Sequence, residues 1–175
     1  MNETTDGIRL RPLGNADCSW LAQLNEACVP AVNPLDDAAI ATLVRHAAWV
    51  QLAERAGKRL AVLVGFTKGS NYESTNYAWF NAQDEAFAYI DRVMVDAAGR
   101  GQGLGSRLYS AFADWAAEQA LPRLCCEVNE VPPNPVSLAF HKALGFRVLT
   151  SRINPADGKR VAMMEKRLRS GNGQE

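Results

Sequence analysis

Between residues 87 and 120 the hydrophobic period changes from two to about 3.6, and at the change stands Arg100-Gly101-Gln102-Gly103-Leu104-Gly105. Phe87 to Val95 alternates as a strand. Gly103 to Ala120 carries Leu104, Leu108, Phe112 and Trp115 along one helical face. A strand entering a helix through such a turn constrains the fold strongly. Glycine lets the backbone turn sharply, and the first N–H groups of a helix have no partner inside it. Those groups and the helix dipole make an anion site, to which Arg100 and Arg107 add charge. The segment therefore reads as a phosphate cradle. The dinucleotide fingerprint Gly-x-Gly-x-x-Gly fails at Ser106, and the Gly-Lys-Ser/Thr of the P-loop is missing. Neither NAD nor ATP fits well, and a glycine-rich connector without a ligand is the plain alternative.

The remaining chain extends the same alternation of elements. Gly7 to Arg11 reads as a first strand. Asn15 suits the cap of a helix with Trp20, Leu21, Leu24 and Cys28 on its apolar side, stopped by Pro30. Asn33-Pro34-Leu35-Asp36 opens a turn into a second helix with Ile40, Leu43, Val44 and Ala47. Trp49 to Glu54 and Arg59 to Phe66 read as a hairpin around Arg55-Ala56-Gly57-Lys58. Thr67 to Gln83 is a polar, aromatic-rich connection without clear periodicity, and long ordered loops often carry function. Leu124 to Asn129 is a strand. Asn134 suits a helix cap with Pro135 at the first position, and Gly145 suits its C-terminal end. Phe146 to Ser151 and Val161 to Leu168 are the last strands. No repeat or linker interrupts this order, so one α/β (α+β) domain over residues 1–170 is expected, with 171–175 a frayed tail.

Composition narrows the classes of function. Lys plus Arg and Asp plus Glu number 19 each, so no net charge argues for a nucleic-acid or acidic-membrane partner. No apolar run approaches the roughly 18 residues that span a bilayer, and Met1 to Asp6 is polar, so the expected address is cytoplasmic. Cys18, Cys28, Cys125 and Cys126 form no Cys-x-x-Cys pair, and the two histidines are far apart, so no metal site is expected.

Two linked segments resemble a known family. Val93-Met94-Val95 followed by Arg100, Gly103 and Gly105 is similar to the coenzyme A signature Gln/Arg-x-x-Gly-x-Gly/Ala of the GCN5-related N-acetyltransferase (GNAT) superfamily. Asn134 through Phe146 resembles that family's Asn-x-x-(small)-x-x-(aromatic)-Tyr-x-x-x-Gly-Phe segment, with His141 at the tyrosine place. The resemblance implies a mixed, mostly antiparallel central sheet of about six or seven strands, splayed in the middle and flanked by about four helices. It implies acetyl-CoA as co-substrate. Backbone N–H groups of Arg100, Gly101, Gln102, Gly103, Leu104 and Gly105 would hold the pyrophosphate, with Ser106 adding a bond. The main chain of Val93 and Val95 would pair with the pantetheine arm as an added strand. An N–H near Val93 or Met94 would stabilise the oxyanion. Asn134 would contact the pantetheine, and it can also cap its helix. His141, at the segment's tyrosine place, counts with the coenzyme-contacting residues as well.

Direct attack of an amine on a thioester needs no enzyme nucleophile, but it needs a base. Alternation puts Tyr89, Asp91 and Val93 on one strand face, which in the family looks into the active site. Asp91 is the first candidate base, although a salt bridge to Arg92 would explain it equally. Glu127 on the neighbouring strand is the second. By position His141 would be the acid, with Tyr89 as the fallback donor. The acceptor is expected among the first two helices, the long loop and the central strands, with Asn33, Tyr72, Tyr77, Trp79 and Phe80 as candidate walls. Local packing explains the aromatics as readily. A small-molecule amine or an amino acid is the expected acceptor. The alternatives are a non-catalytic coenzyme A-binding module and a nucleotide-dependent enzyme. The sequence leaves the acyl length open, and a homodimer is among the assemblies it allows.

Overall fold

The computed structural model describes residues 7–169. Its strands are β1 (Ile8–Pro12), β2 (Trp49–Arg55), β3 (Lys58–Thr67), β4 (Ala88–Val95), β5 (Arg123–Val131), β6 (Arg147–Ile153) and β7 (Arg160–Arg167). Its helices are α1 (Cys18–Ala27), α2 (Asp37–His46), α3 (Thr75–Asn81), α4 (Leu104–Glu118) and α5 (Pro135–Ala143). The strand order is β1-β2-β3-β4-β5-β7-β6. The mixed, mostly antiparallel sheet agrees with the expected fold class, and the helix beyond the expected four is α3. None of the helices among the described residues is long and apolar enough to cross a membrane. The proposed frayed tail lies outside the described residues.

Two compact units make up these residues, each drawing on two chain segments. The first takes the chain up to Phe66 and Asp91–Phe112. In it β1, β2 and β3 form an antiparallel meander, with Ile8 opposite Arg55 and Leu52 opposite Val62. The β2–β3 turn uses Ala56 and Gly57, both at positive φ, as a tight hairpin demands. Gly65 makes room for α4: a Cβ there would stand 2.5 Å from the Phe112 ring, which also packs on Trp49 at 5.1 Å. Leu21, Leu24, Ile40 and Leu43 bury one stripe each of α1 and α2. Asp36, rather than the turn at large, starts α2: its Oδ1 accepts from the Ala39 N–H at 2.8 Å. Asn15 does not cap α1. It lies in a short 3-10 turn, and Asp17 precedes the helix with its carboxylate held by Arg11, Arg59 and the Gly14 N–H.

The second unit takes Thr67–Ile90 and the chain from Ala113 onward. The start of β4 pairs in parallel with β5 at Ala88–Leu124 and Tyr89–Cys125. β7 then pairs antiparallel with both β5 and β6. The connection expected to lack regular structure contains α3. Ser74 caps it by accepting from the Tyr77 N–H, and Tyr77 and Phe80, three apart, face the core. Seven residues are too few for a clear period, which is why the sequence pattern hides this helix.

Candidate active site

In the first unit the glycine-rich turn joins β4 to α4 as the sequence pattern requires. A short 3-10 turn, Ala97–Gly99, comes first, with the Asp96 side chain accepting from the Ala98 N–H at 2.9 Å. Gly99 is there for packing: a Cβ would meet Leu104 Cδ1 at 2.8 Å and the Leu60 carbonyl at 2.9 Å. Gly101 and Gly103 are there for conformation, at φ +74° and +69°, with no described atom within 4 Å of a Cβ at either place. Both are exposed, as are Arg100, Gln102 and Ser106, whereas Leu104 is buried and anchors the helix start. Gln102 braces the turn. Its Oε1 accepts from Arg55 Nη2 and its Nε2 donates to the Ala98 carbonyl, each at 2.8 Å. An exposed helix N-terminus behind two left-handed glycines fits an anionic group such as a pyrophosphate. Met94 is buried, and Val93 and Val95 are half-buried on β4.

The same unit decides the surroundings of Asp91. Its Oδ2 accepts from Arg92 Nε at 2.6 Å, the ion pair the sequence allowed. Arg92 is buried, in the inward phase shared with Ile90 and Met94, where an arginine is rare. Its Nη1 donates to Asn25 Oδ1 at 2.6 Å and its Nη2 to Asn33 Oδ1 at 3.0 Å. Asn25 Nδ2 in turn donates to the Asn33 carbonyl at 3.1 Å. Asp91 is therefore tied to a buried cation. The sequence offered Arg92 only as the ion-pair partner of Asp91, and Asn25 was not foreseen at all, because it is far from β4 in sequence. The signal available was an arginine at a core position of the strand.

In the second unit Tyr89 is fully buried on β4, and its hydroxyl donates to Glu127 Oε2 on β5 at 2.5 Å. Glu127 is half-buried. The Tyr77 ring packs against Tyr89 at 5.5 Å, Phe87 at 5.8 Å and Tyr72 at 5.8 Å. The Tyr77 hydroxyl donates to the Thr67 carbonyl at 2.6 Å and accepts from the Ser70 N–H at 2.9 Å. Tyr77 is thus a core residue beneath Tyr89 rather than a pocket wall, as is Phe80. Tyr72 and Trp79 remain half-exposed.

Asn134 caps α5, its side chain accepting from the Ser137 N–H at 3.2 Å, with Pro135 at the first helical position. His141 is buried near Phe140 and Phe146, with ring centroids at 5.4 and 5.3 Å. Its Nδ1 lies 2.7 Å from the Ser137 carbonyl, which can only accept, so Nδ1 carries the proton. Burial lowers the imidazole pKa and outweighs the opposing effect of that bond. A neutral ring protonated on Nδ1 has no proton to give from Nε2, which argues against the acid role expected for His141. Cys125 and Cys126 are buried thiols, and burial pushes Cys125 up to about 12.

Comparison with known proteins agrees with this layout. The family model described as Acetyltransferase (GNAT) family matches residues 17–146. No curated protein matches the chain by sequence. Among solved structures, Ard1 from Thermoplasma volcanium is similar with a TM-score of 0.74 at 22% identity, covering 93% of this chain and 99% of that one. The ribosomal-protein-S18-alanine N-acetyltransferase from Escherichia coli gives 0.71 at 17%, covering 96% and 97%. The yncA protein from Salmonella typhimurium, solved with its cofactor acetyl-CoA, gives 0.68 at 18%, covering 96% and 98%. With a strand–glycine turn–helix cradle and a family match that spans it and α5, the chain belongs to the acetyltransferase (GNAT) family.

Proposed function

We propose that the protein transfers an acetyl group from acetyl-CoA to a primary amine of a small molecule or amino acid by direct attack. The reading takes residues 1–170 as a single acetyltransferase domain, which the family match over residues 17–146 supports. The observation that carries this reading is the turn itself, with exposed Gly101 and Gly103 at positive φ before α4. When bound, acetyl-CoA supplies the thioester, and the turn's N–H groups hold its pyrophosphate.

Glu127 is the base of this reading. It is half-exposed, and Tyr89 orients it through the 2.5 Å bond. It takes the proton that the attacking nitrogen sheds. The departing thiolate needs no dedicated acid, since a simple thiol titrates at about 8.5 and regains its proton from water. Asp91 holds charge balance for Arg92, and His141 fills the core of α5.

Titration with acetyl-CoA followed by thiol release against a panel of primary amines tests the proposal. Saturable binding with amine-dependent release supports it. Binding with no release for any amine favours a non-catalytic coenzyme A-binding module.

A further inference from the structure

The last residue of β2, Arg55, reaches across to the glycine-rich turn. Arg55 and Gln102 stand 47 residues apart in sequence, and both are exposed. Arg55 Nη2 donates to Gln102 Oε1, and Gln102 Nε2 donates to the Ala98 carbonyl, each at 2.8 Å. Each outer partner can act in one sense only, because a guanidinium donates and a carbonyl accepts. The Gln102 carboxamide therefore has a single orientation, and residue 102 is tied back to residue 98. The frame beneath is fixed. The Asp96 N–H donates to the Leu60 carbonyl at 2.8 Å, and Gly99 packs against that same carbonyl, so β3 holds the start of the turn. The crown of the turn is not held by packing. Gly101 and Gly103 flank Gln102 at positive φ, and a Cβ at either would meet no described atom within 4 Å.

We propose that Arg55 is a positioning residue for the coenzyme: acting through Gln102, it holds the turn in its anion-ready form before acetyl-CoA arrives. This rests on the reading of the turn as the pyrophosphate site. Glycine has more backbone freedom to lose than any other residue, so ordering Gly101 and Gly103 at the moment of binding would weaken affinity. A clip that orders them in the free protein removes that cost from binding. Stability does not account for the pair. A bond between two exposed side chains adds little to folding, and holding a long arginine still gives up rotamer freedom. The brace is also a cation, so it does not repel the pyrophosphate it makes room for.

Titration with acetyl-CoA compares wild type, Arg55→Met, Arg55→Lys, Gln102→Ala and the double variant of Arg55→Met with Gln102→Ala. Arg55→Met keeps the stem and removes the donor. Its Kd should rise about tenfold while Tm stays within about 2 °C of wild type. Gln102→Ala should weaken binding to a similar extent. The double variant should be no more than about twofold weaker than either single one, since both cut the same clip. The contact is a single bond rather than a fork, so Arg55→Lys should recover affinity to within about threefold of wild type. With an accepted amine, Arg55→Met should raise the KM for acetyl-CoA and leave kcat within about twofold. Unchanged affinity in Arg55→Met, losses that multiply in the double variant, no recovery in Arg55→Lys, or a loss in kcat rather than KM overturns the assignment alone. Acetyl-CoA binding without transfer to any amine counts against the transfer reading only, because the binding titrations still decide the role of Arg55. A wild type that does not bind acetyl-CoA overturns both.

Discussion

At the scale of single residues, burial and hydrogen bonding divide the charged and aromatic groups between chemistry and support. Glu127 and Tyr89 share a 2.5 Å bond, whereas Asp91 is bound to Arg92. Glu127→Gln should therefore lower kcat about 100-fold or more with little change in acetyl-CoA affinity, and Tyr89→Phe should lower it less, about tenfold. Steady-state kinetics beside a binding titration reads both; an undiminished kcat in Glu127→Gln removes Glu127 as base. His141 leads to the opposite expectation. Its Nδ1 proton is committed to the Ser137 carbonyl and burial keeps the ring neutral, so His141→Leu should change kcat less than about threefold. A loss of about 100-fold, with the fold intact by circular dichroism, would restore His141 as the acid. The sequence shows which residue types stand at these positions. It does not show which partner each one takes, since Asn25 and Asn33 reach Arg92 only through the fold.

At the scale of elements, the turn before α4 and the corner under β1 each make a separate prediction. Gly103 is at φ +69°, where an alanine costs about 1–2 kcal/mol. Gly103→Ala should weaken acetyl-CoA binding about tenfold, measured by calorimetry, because no nearby atom blocks the new methyl and the strain falls on the turn. Equal affinity would mean that the left-handed backbone is not needed for the ligand. Asp17 ties the start of α1 to β1 and β3 through Arg11 and Arg59. The Arg11 hydrogen bonds hold its carboxyl well below the usual carboxylate range, against the upward push of burial. A depressed carboxylate contributes stability that is full above its unfolded value, about 3.9, and is lost as pH falls through the lower folded value. The Tm gap between wild type and Asp17→Asn should be large at neutral pH and narrow as pH falls from about 4 to 2. A pH-independent gap would contradict the assignment. Long periodic elements such as α4 and the alternation of β4 are legible in the sequence. The seven-residue α3 is not, because its Ser74 cap and its Tyr77–Phe80 face make sense only against Phe87 and Tyr89.

At the scale of the whole molecule, the order of strands and helices, apart from α3, and the glycine turn are legible from period and turn chemistry. The resemblance, carried by Arg100 to Gly105 and Asn134 to Phe146, then pointed to the family that the match over residues 17–146 bears out. Proton handling was not legible, because it depends on which side chains are buried against which. The central claim is acetyl transfer to an amine, and its most direct measurement follows both products in one reaction. With acetyl-CoA and a panel of primary amines, mass spectrometry of each amine and titration of free thiol should give acetylated amine and thiol in equal amounts for the accepted amine, both strongly reduced in Glu127→Gln. Thiol release without acetylated product, or no reaction with any amine despite saturable acetyl-CoA binding, would contradict it.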